Sequence, residues 1–160
     1  MSKPFGIAFG AAVVVIAVLI GIGFHTTKGN HLAPVGAIGK VRTLKIADDI
    51  TLMIVDFNVK NDSDRDMIVR TVDGTLDTAD GGVQSSTVSA EETMAAFRDY
   101  PLLGEQYNPV MKERDVVPAH QLLDRMVCLR FDIPYDKVEA RKGFTLHIED
   151  VTGPVLELKK

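Results

Sequence analysis

The stretch TLMIVDFNVKNDSDRDMIVRTVDG, residues Thr51 to Gly74, sets the rhythm from which the rest of the chain is read. Met53, Val55, Phe57 and Val59 alternate with Ile54, Asp56, Asn58 and Lys60. Successive side chains of a strand point to opposite faces, so this period of two puts the first set in a core and the second toward solvent. The run stops at Asn61-Asp62-Ser63-Asp64, whose short polar side chains hydrogen-bond their own backbone and turn the chain. Met67 to Val72 then resumes an extended pattern, and Asp73-Gly74 is a pair of the kind that closes hairpins.

The same rhythm recurs downstream. Leu123, Val127, Leu129, Phe131 and Ile133 fall on one face of a strand, with Arg125 the exception. Asp124, Met126, Cys128, Arg130 and Asp132 fall on the other, and Pro134 ends it. Phe144, Leu146 and Ile148 alternate with Thr145, His147 and Glu149 before a turn over 150–154 and a last strand from Val155 to Leu158. Residues 75–78 and 83–88 read as further short strands, and 135–141 as a helical turn. One helix stands out over 90–98: Ser89 and Glu92 have the spacing of a capping box, and Met94 and Phe97 are placed on its buried stripe. About seven short strands and one short helix predict an all-β fold, a two-sheet sandwich over residues 37–160.

Upstream the composition changes. Phe5 to Phe24 (FGIAFGAAVVVIAVLIGIGF) is uncharged and apolar. A helix of about twenty residues rises roughly 30 Å, the thickness of the hydrocarbon layer of a bilayer. The run exceeds the roughly 7–15 apolar residues of a secretory signal, so it is read as an uncleaved transmembrane anchor rather than a cleaved leader. Residues 1–4 are then a short tail, 5–24 the anchor and 25–36, with Gly29, Pro34 and Gly36, a neck. A short tail ahead of a first helix stays inside while the domain is exported, although Lys28, Lys40 and Arg42 lie on the exported side. The expectation is a single-pass protein of the cell membrane, its N-terminus cytoplasmic and its domain periplasmic or extracellular. Gly6 and Gly10 are spaced as in closely packed membrane helices, a spacing that the ordinary abundance of glycine there also explains.

The chain of 160 residues has a formal charge of −4 from 18 basic and 22 acidic residues. Only Lys3 and Lys28 precede the domain, leaving it 16 basic against 22 acidic groups. Such a balance argues against nucleic acid, which needs a clustered basic face, and against electrostatic clamping onto anionic lipid. Cys128 stands alone, so no internal disulfide supports the core.

Three stretches carry a resemblance. In TLMIVDFNVKNDSDRDMIVRTVDG, an apolar strand ends in Val59-x-Asn61-x-Ser63 and the next leads to a glycine. VCLRFDIP (127–134) closes in Phe-x-hydrophobic-Pro, and FTLHIEDVTG (144–153) has the form of a final hairpin. Together they resemble the bacterial membrane-anchored immunoglobulin-like domains of the FxLYD and late-embryogenesis-abundant type-2 kinds. His147-Ile148 stands where those carry Tyr-Asp, and the helix and long loop over 89–119 have no place in their simplest members. The resemblance implies an extracytoplasmic seven-stranded sandwich used for binding or assembly, with no catalytic residues to carry over.

Several groups are candidates for function. Residues 99–119 hold three prolines and no sustained period, and loops of that length inside a domain are often functional. Tyr100, Leu102, Leu103, Tyr107, Val110 and Met111 put apolar surface there, suited either to a protein contact or to a lid over one end of the sandwich. Tyr100, Leu103, Tyr107 and Met111, with Arg130 and Asp132 on a strand face, are therefore the expected contacts of a protein partner or a second copy. Asp62, Asp64 and Asp66 have the alternate spacing that wraps oxygen ligands around calcium, but Met67 and Asp73 stand where a calcium loop needs glycine and glutamate. A divalent-cation or small-ligand module using the acidic turns over 62–80 is the alternative function. The histidines His25, His31, His120 and His147 show no zinc spacing, and no cofactor motif is present. Cys128 or Ser85 as a nucleophile lacks an accompanying set of catalytic groups, so no enzyme activity is expected.

Overall fold

The computed structural model describes residues 13, 15–20 and 32–160. Val13 and the residues 15–20 are helical, and among the described residues no helix is long and apolar enough to cross a membrane. The remainder of the anchor expected over 5–24, and the neck up to residue 31, lie outside the described residues.

The domain contains the strands β1 (Pro34–Ala47), β2 (Ile50–Asn61), β3 (Met67–Thr78), β4 (Gly81–Gln84), β5 (Ser86–Thr87), β6 (Val116–Val117), β7 (Leu122–Phe131), β8 (Gly143–Asp150) and β9 (Val155–Lys159). Two helices, α1 (Ala90–Asp99) and α2 (Tyr135–Glu139), accompany them. One sheet has the order β1-β2-β7-β5 and the other β4-β3-β8-β9, with β6 beside the start of β3. The fold is a β-sandwich.

The expected alternation decides what faces inward. Met53, Val55, Phe57 and Val59 of β2 and Val127, Leu129 and Phe131 of β7 pack against Val69, Val72 and Leu76 of β3 and Phe144, Leu146 and Ile148 of β8. The opposite face of β2 and β7 departs from expectation. Ile54, Asp56, Met126 and Cys128, read as turned toward solvent, are buried. The segment 88–111 lies over them and closes a second apolar cluster with Leu44, Ala90, Ala96, Leu103 and Val110. It therefore covers a sheet face rather than an open end.

Helix α1 has the expected capping box: Ser89 Oγ accepts from the Glu92 amide at 3.2 Å, and Glu92 Oε2 accepts from the Ser89 amide at 3.2 Å. Its buried face is Ala90, Thr93 and Ala96, whereas Met94, expected inside, is exposed. Small side chains let the helix sit close to the sheet, and Phe97 is left half-buried beside it.

Asp73-Gly74 makes no turn. β3 runs straight through it, and the chain reverses at 79–80, next to Gly81 at φ +121°. The glycine is there for a different reason: a Cβ on Gly74 would meet Leu129 Cδ1 and Phe144 Cε2, each at 2.7 Å. It marks a place where the two sheets close tightly. β1 begins inside the expected neck, with Pro34, Val35 and Gly36 paired to Asn61, Lys60 and Val59. A bulge between Ile38 and Val41 breaks its alternation, which hid the strand from a period-two reading.

Asn61 ends β2 fully buried. Its Nδ2 donates to the carbonyls of Arg65 (2.8 Å) and Val117 (2.9 Å), and its Oδ1 accepts from the Ser63 amide (3.2 Å) and hydroxyl (2.6 Å). The Asn-x-Ser pattern thus fixes the β2–β3 turn and ties β6 to it.

Gly74→Ala is expected to lower the unfolding free energy by about 1–3 kcal/mol, the usual effect of overpacking a filled core. Denaturant titration should show a lower midpoint with an unchanged slope.

Candidate functional site

The covering segment is held by a buried ion pair. The bulge in β1 sets Arg42 opposite Ile54, beside Asp56 of β2. Arg42 Nη2 lies 2.7 Å from Asp56 Oδ2, and each side chain is 9% exposed. Arg42 Nη1 donates to the carbonyls of Leu103 (2.9 Å) and Glu105 (2.8 Å). Asp56 Oδ1 accepts from Asn108 Nδ2 at 2.9 Å. The guanidinium stacks over Phe97 and Tyr107, 5.0 and 5.3 Å from their ring centres, and Lys40 Nζ lies 5.0 Å from the Tyr107 ring. One charge pair therefore fastens both arms of the loop to the sheet. Charges taken out of water tolerate this setting only while both partners and their hydrogen bonds are present.

The expected contact residues separate into two groups. Leu103 (3% exposed) and Met111 (2%) are core residues, a correction that follows from the loop folding onto the sheet and turning them inward. Tyr100 and Tyr107 are exposed, and so is Leu102, at 95% on a single 3₁₀ turn (Pro101–Leu103). Nothing in the local pattern distinguishes Leu102 from Leu103; only the seating of the turn does. Arg130 near the end of β7 and Asp132, which lies just past the strand rather than on its face, are also exposed and bonded to each other at 2.8 Å, beyond the part under the loop.

The three carboxylates of the acidic turn have separate partners. Asp62 pairs with Lys60 (2.7 Å), Asp64 with His120 (3.0 Å), and Asp66 accepts from the Ala119 amide (2.9 Å). Among the described residues, no group of three or more histidine, cysteine or acidic side chains is placed to hold a metal ion.

Cys128 is buried under α1. Burial pushes its thiol up to about 12, despite a hydrogen bond with Thr93 that pulls the other way. Arg130, its neighbour on the same face, is engaged with Asp132, and His147 pairs with Asp73 at 3.1 Å. Ser85 Oγ accepts from the Gly74 amide at 2.8 Å, at a strand edge. These groups are not brought together.

A cleft of about 570 Å³ opens between the edge of β3, the β5–α1 junction and residues 111–113. Val72, Ala90 and Met111 are its buried lining, with Asp73, Glu91 and Glu113 more exposed. It joins three distant segments, so no local pattern announces it.

At the end of the sandwich where β1 starts, Asp150 is 2% exposed. Its carboxylate accepts from the amides of Ile68 (2.7 Å) and Thr152 (2.8 Å) and from the Thr152 hydroxyl (2.5 Å). Burial acts to raise its pKa, but the bonds from Thr152 and Ile68 and the charge of Arg65 together outweigh it and hold it below the ordinary 3.8.

No family model and no curated protein matches the chain. Among solved structures it is similar to an uncharacterized beta-sandwich protein from Clostridium difficile 630, at 13% identity, covering 81% of this chain and 89% of that one with a TM-score of 0.39.

Arg42→Ala is expected to cost about 3–5 kcal/mol by stranding a buried carboxylate, while Arg42→Met with Asp56→Leu recovers the part due to the stranded charge and not the part due to the lost hydrogen bonds to Leu103, Glu105 and Asn108. Limited proteolysis should cut the single variant first within 104–109. The Asp150 contribution is complete above the unfolded carboxyl's pKa of about 3.9 and disappears as pH falls through the lower folded value. Acid titrations followed by circular dichroism should therefore show a shallower loss of stability below about pH 4 in Asp150→Asn than in the parent.

Proposed function

We propose that this is a membrane-tethered immunoglobulin-like module that works by non-covalent contact with another envelope protein or a second copy, without catalysis. The tether is the apolar run 5–24, with the N-terminus cytoplasmic and the domain outside. The strand order supports the immunoglobulin-like reading. β1-β2-β7-β5 follows the A-B-E-D order of such domains, and β9-β8-β3-β4 follows G-F-C with an added C′. The resemblance to the FxLYD and late-embryogenesis-abundant type-2 kinds adds to this reading. In that scheme α1 and the loop form an enlarged D–E connection laid over the A-B-E-D sheet.

One observation carries the contact reading: Leu102 is 95% exposed on a turn whose backbone is fastened through Leu103 and Glu105 to the buried Arg42. A bare apolar side chain on an already ordered loop binds with little further entropy cost, and the flanking Tyr100 and Tyr107 are of the type that concentrates binding energy at interfaces. The high pKa of Cys128 and the scattered histidines support a non-catalytic role. A second reading, small-ligand binding, draws on the cleft, whose volume is in the range of small-molecule sites, rather than on Asp62, Asp64 and Asp66.

Crosslinking in native membranes tests the contact reading. Leu102→Asp is expected to abolish the crosslinked species while the melting temperature holds. An unchanged crosslinking pattern would count against it.

A further inference from the structure

The exposed large apolar side chains of the domain are unevenly placed. Met94, Tyr100, Leu102 and Tyr107 belong to the covering segment. Six others, Val35, Ile68, Val116, Leu122, Val151 and Val155, are 37–57% exposed and ring the end where β1 starts, Val35 and Leu122 on the outer face of one sheet and Ile68, Val116 and Val155 on that of the other. The pairings bring them there. Lys60 of β2 is flanked by Val35 on one side and Leu122 on the other. Ile68 pairs with Val116, and its carbonyl accepts from the Val151 amide at 2.9 Å. Val155 pairs with Glu149, one residue from Asp150. Asn61 joins the two halves of this end through Gln121 and Val117.

The opposite end has a different character. Among the described residues it exposes one large apolar side chain, Ile46, amid Asp48, Asp49, Asp80, Asp136, Lys137 and Lys142. A strand of about twelve residues separates the two ends by roughly 40 Å.

We infer that the end bearing Val35, Leu122, Ile68 and Val155 rests on the bilayer surface, with these side chains at the boundary between headgroups and acyl chains. The inference depends on the anchor reading of residues 5–24. The chain from Phe24 enters the domain at this end, at Pro34, and spans at most roughly 33–36 Å, so this end is the one held nearest the anchor. A tethered surface meets the lipid at high effective concentration, so a modest apolar patch is sufficient. The carboxylates at this end have partners: Asp62 pairs with Lys60, Asp64 with the His120 ring, Asp66 and Asp150 accept backbone hydrogen bonds, and Glu149 faces Arg70 at 3.2 Å. The domain has no basic excess, so zwitterionic lipid is the fitting surface.

The test uses the full chain in phosphatidylcholine nanodiscs, with an environment-sensitive fluorophore on single cysteines introduced as Leu122→Cys, Val155→Cys, Lys142→Cys or Ala11→Cys. Cys128 is buried, which directs labelling to the introduced thiol. The expected result is blue-shifted emission at 122 and 155, quenched by shallow spin-labelled lipid several times more strongly than at 142. If 122 and 155 are quenched no more than 142 while 11 is quenched strongly, the anchor stands and this inference falls. If 11 is unquenched as well, both fall. Shielding from water at 122 and 155 without lipid quenching, accompanied by crosslinks between copies, would assign the patch to a second chain and overturn it.

Discussion

The sheet β1-β2-β7-β5 buries its inner face and also the middle of its outer face, and much of the remaining architecture answers that constraint. Its inner face meets the second sheet in the ordinary way of a sandwich. Its outer face carries Ile54, Met126 and Cys128, which need an apolar cover, and Asp56, which needs a cation once that cover excludes water. Arg42 meets the second need and helps to hold the cover in place, because the guanidinium that neutralises Asp56 also binds the carbonyls of Leu103 and Glu105. Charge compensation and loop attachment are the same set of contacts.

That arrangement gives the covering segment its particular surface. A proline-bearing loop without a partner would be free to move, and its leucines would turn inward or associate at random. Fastened to the sheet, it buries Leu103 and Val110 and presents Leu102, Tyr100 and Tyr107 in a set geometry. The exposed apolar groups therefore fall into two populations, one on the loop and one at the end nearest the start of β1. They lie on different parts of the domain, and the surfaces proposed for them are a protein and a lipid boundary.

The polar groups that attract attention in the sequence are mostly structural. Asn61 completes the β2–β3 turn by donating to the carbonyls of Arg65 and Val117 and accepting from the Ser63 hydroxyl. Asp150 ties the start of β3 to the β8–β9 turn through backbone amides, so its burial is offset by donors rather than by a ligand. Cys128 is a small apolar side chain beneath α1, its thiol held in the protonated form.

Sequence alone was sufficient for the sandwich core, the capping box of α1 and the β2–β3 and β8–β9 turns. Each depends on residues close in the chain: a period of two along Met53–Val59 or Phe144–Ile148, or a hydrogen bond across three positions at Ser89 and Glu92. Tertiary structure decided whatever depends on neighbours distant in the chain. Alternation names two faces of a strand but does not say how many are covered, so Ile54 and Cys128 read as outward although α1 lies over them. Gly74 reads as a turn because glycine permits one, whereas its place in β3 is set by Leu129 across the sheets and Phe144 on the neighbouring strand β8. Leu102 and Leu103 are adjacent and identical in type; which of them faces water was settled by Arg42, which reaches from β1 to bind the turn that carries both.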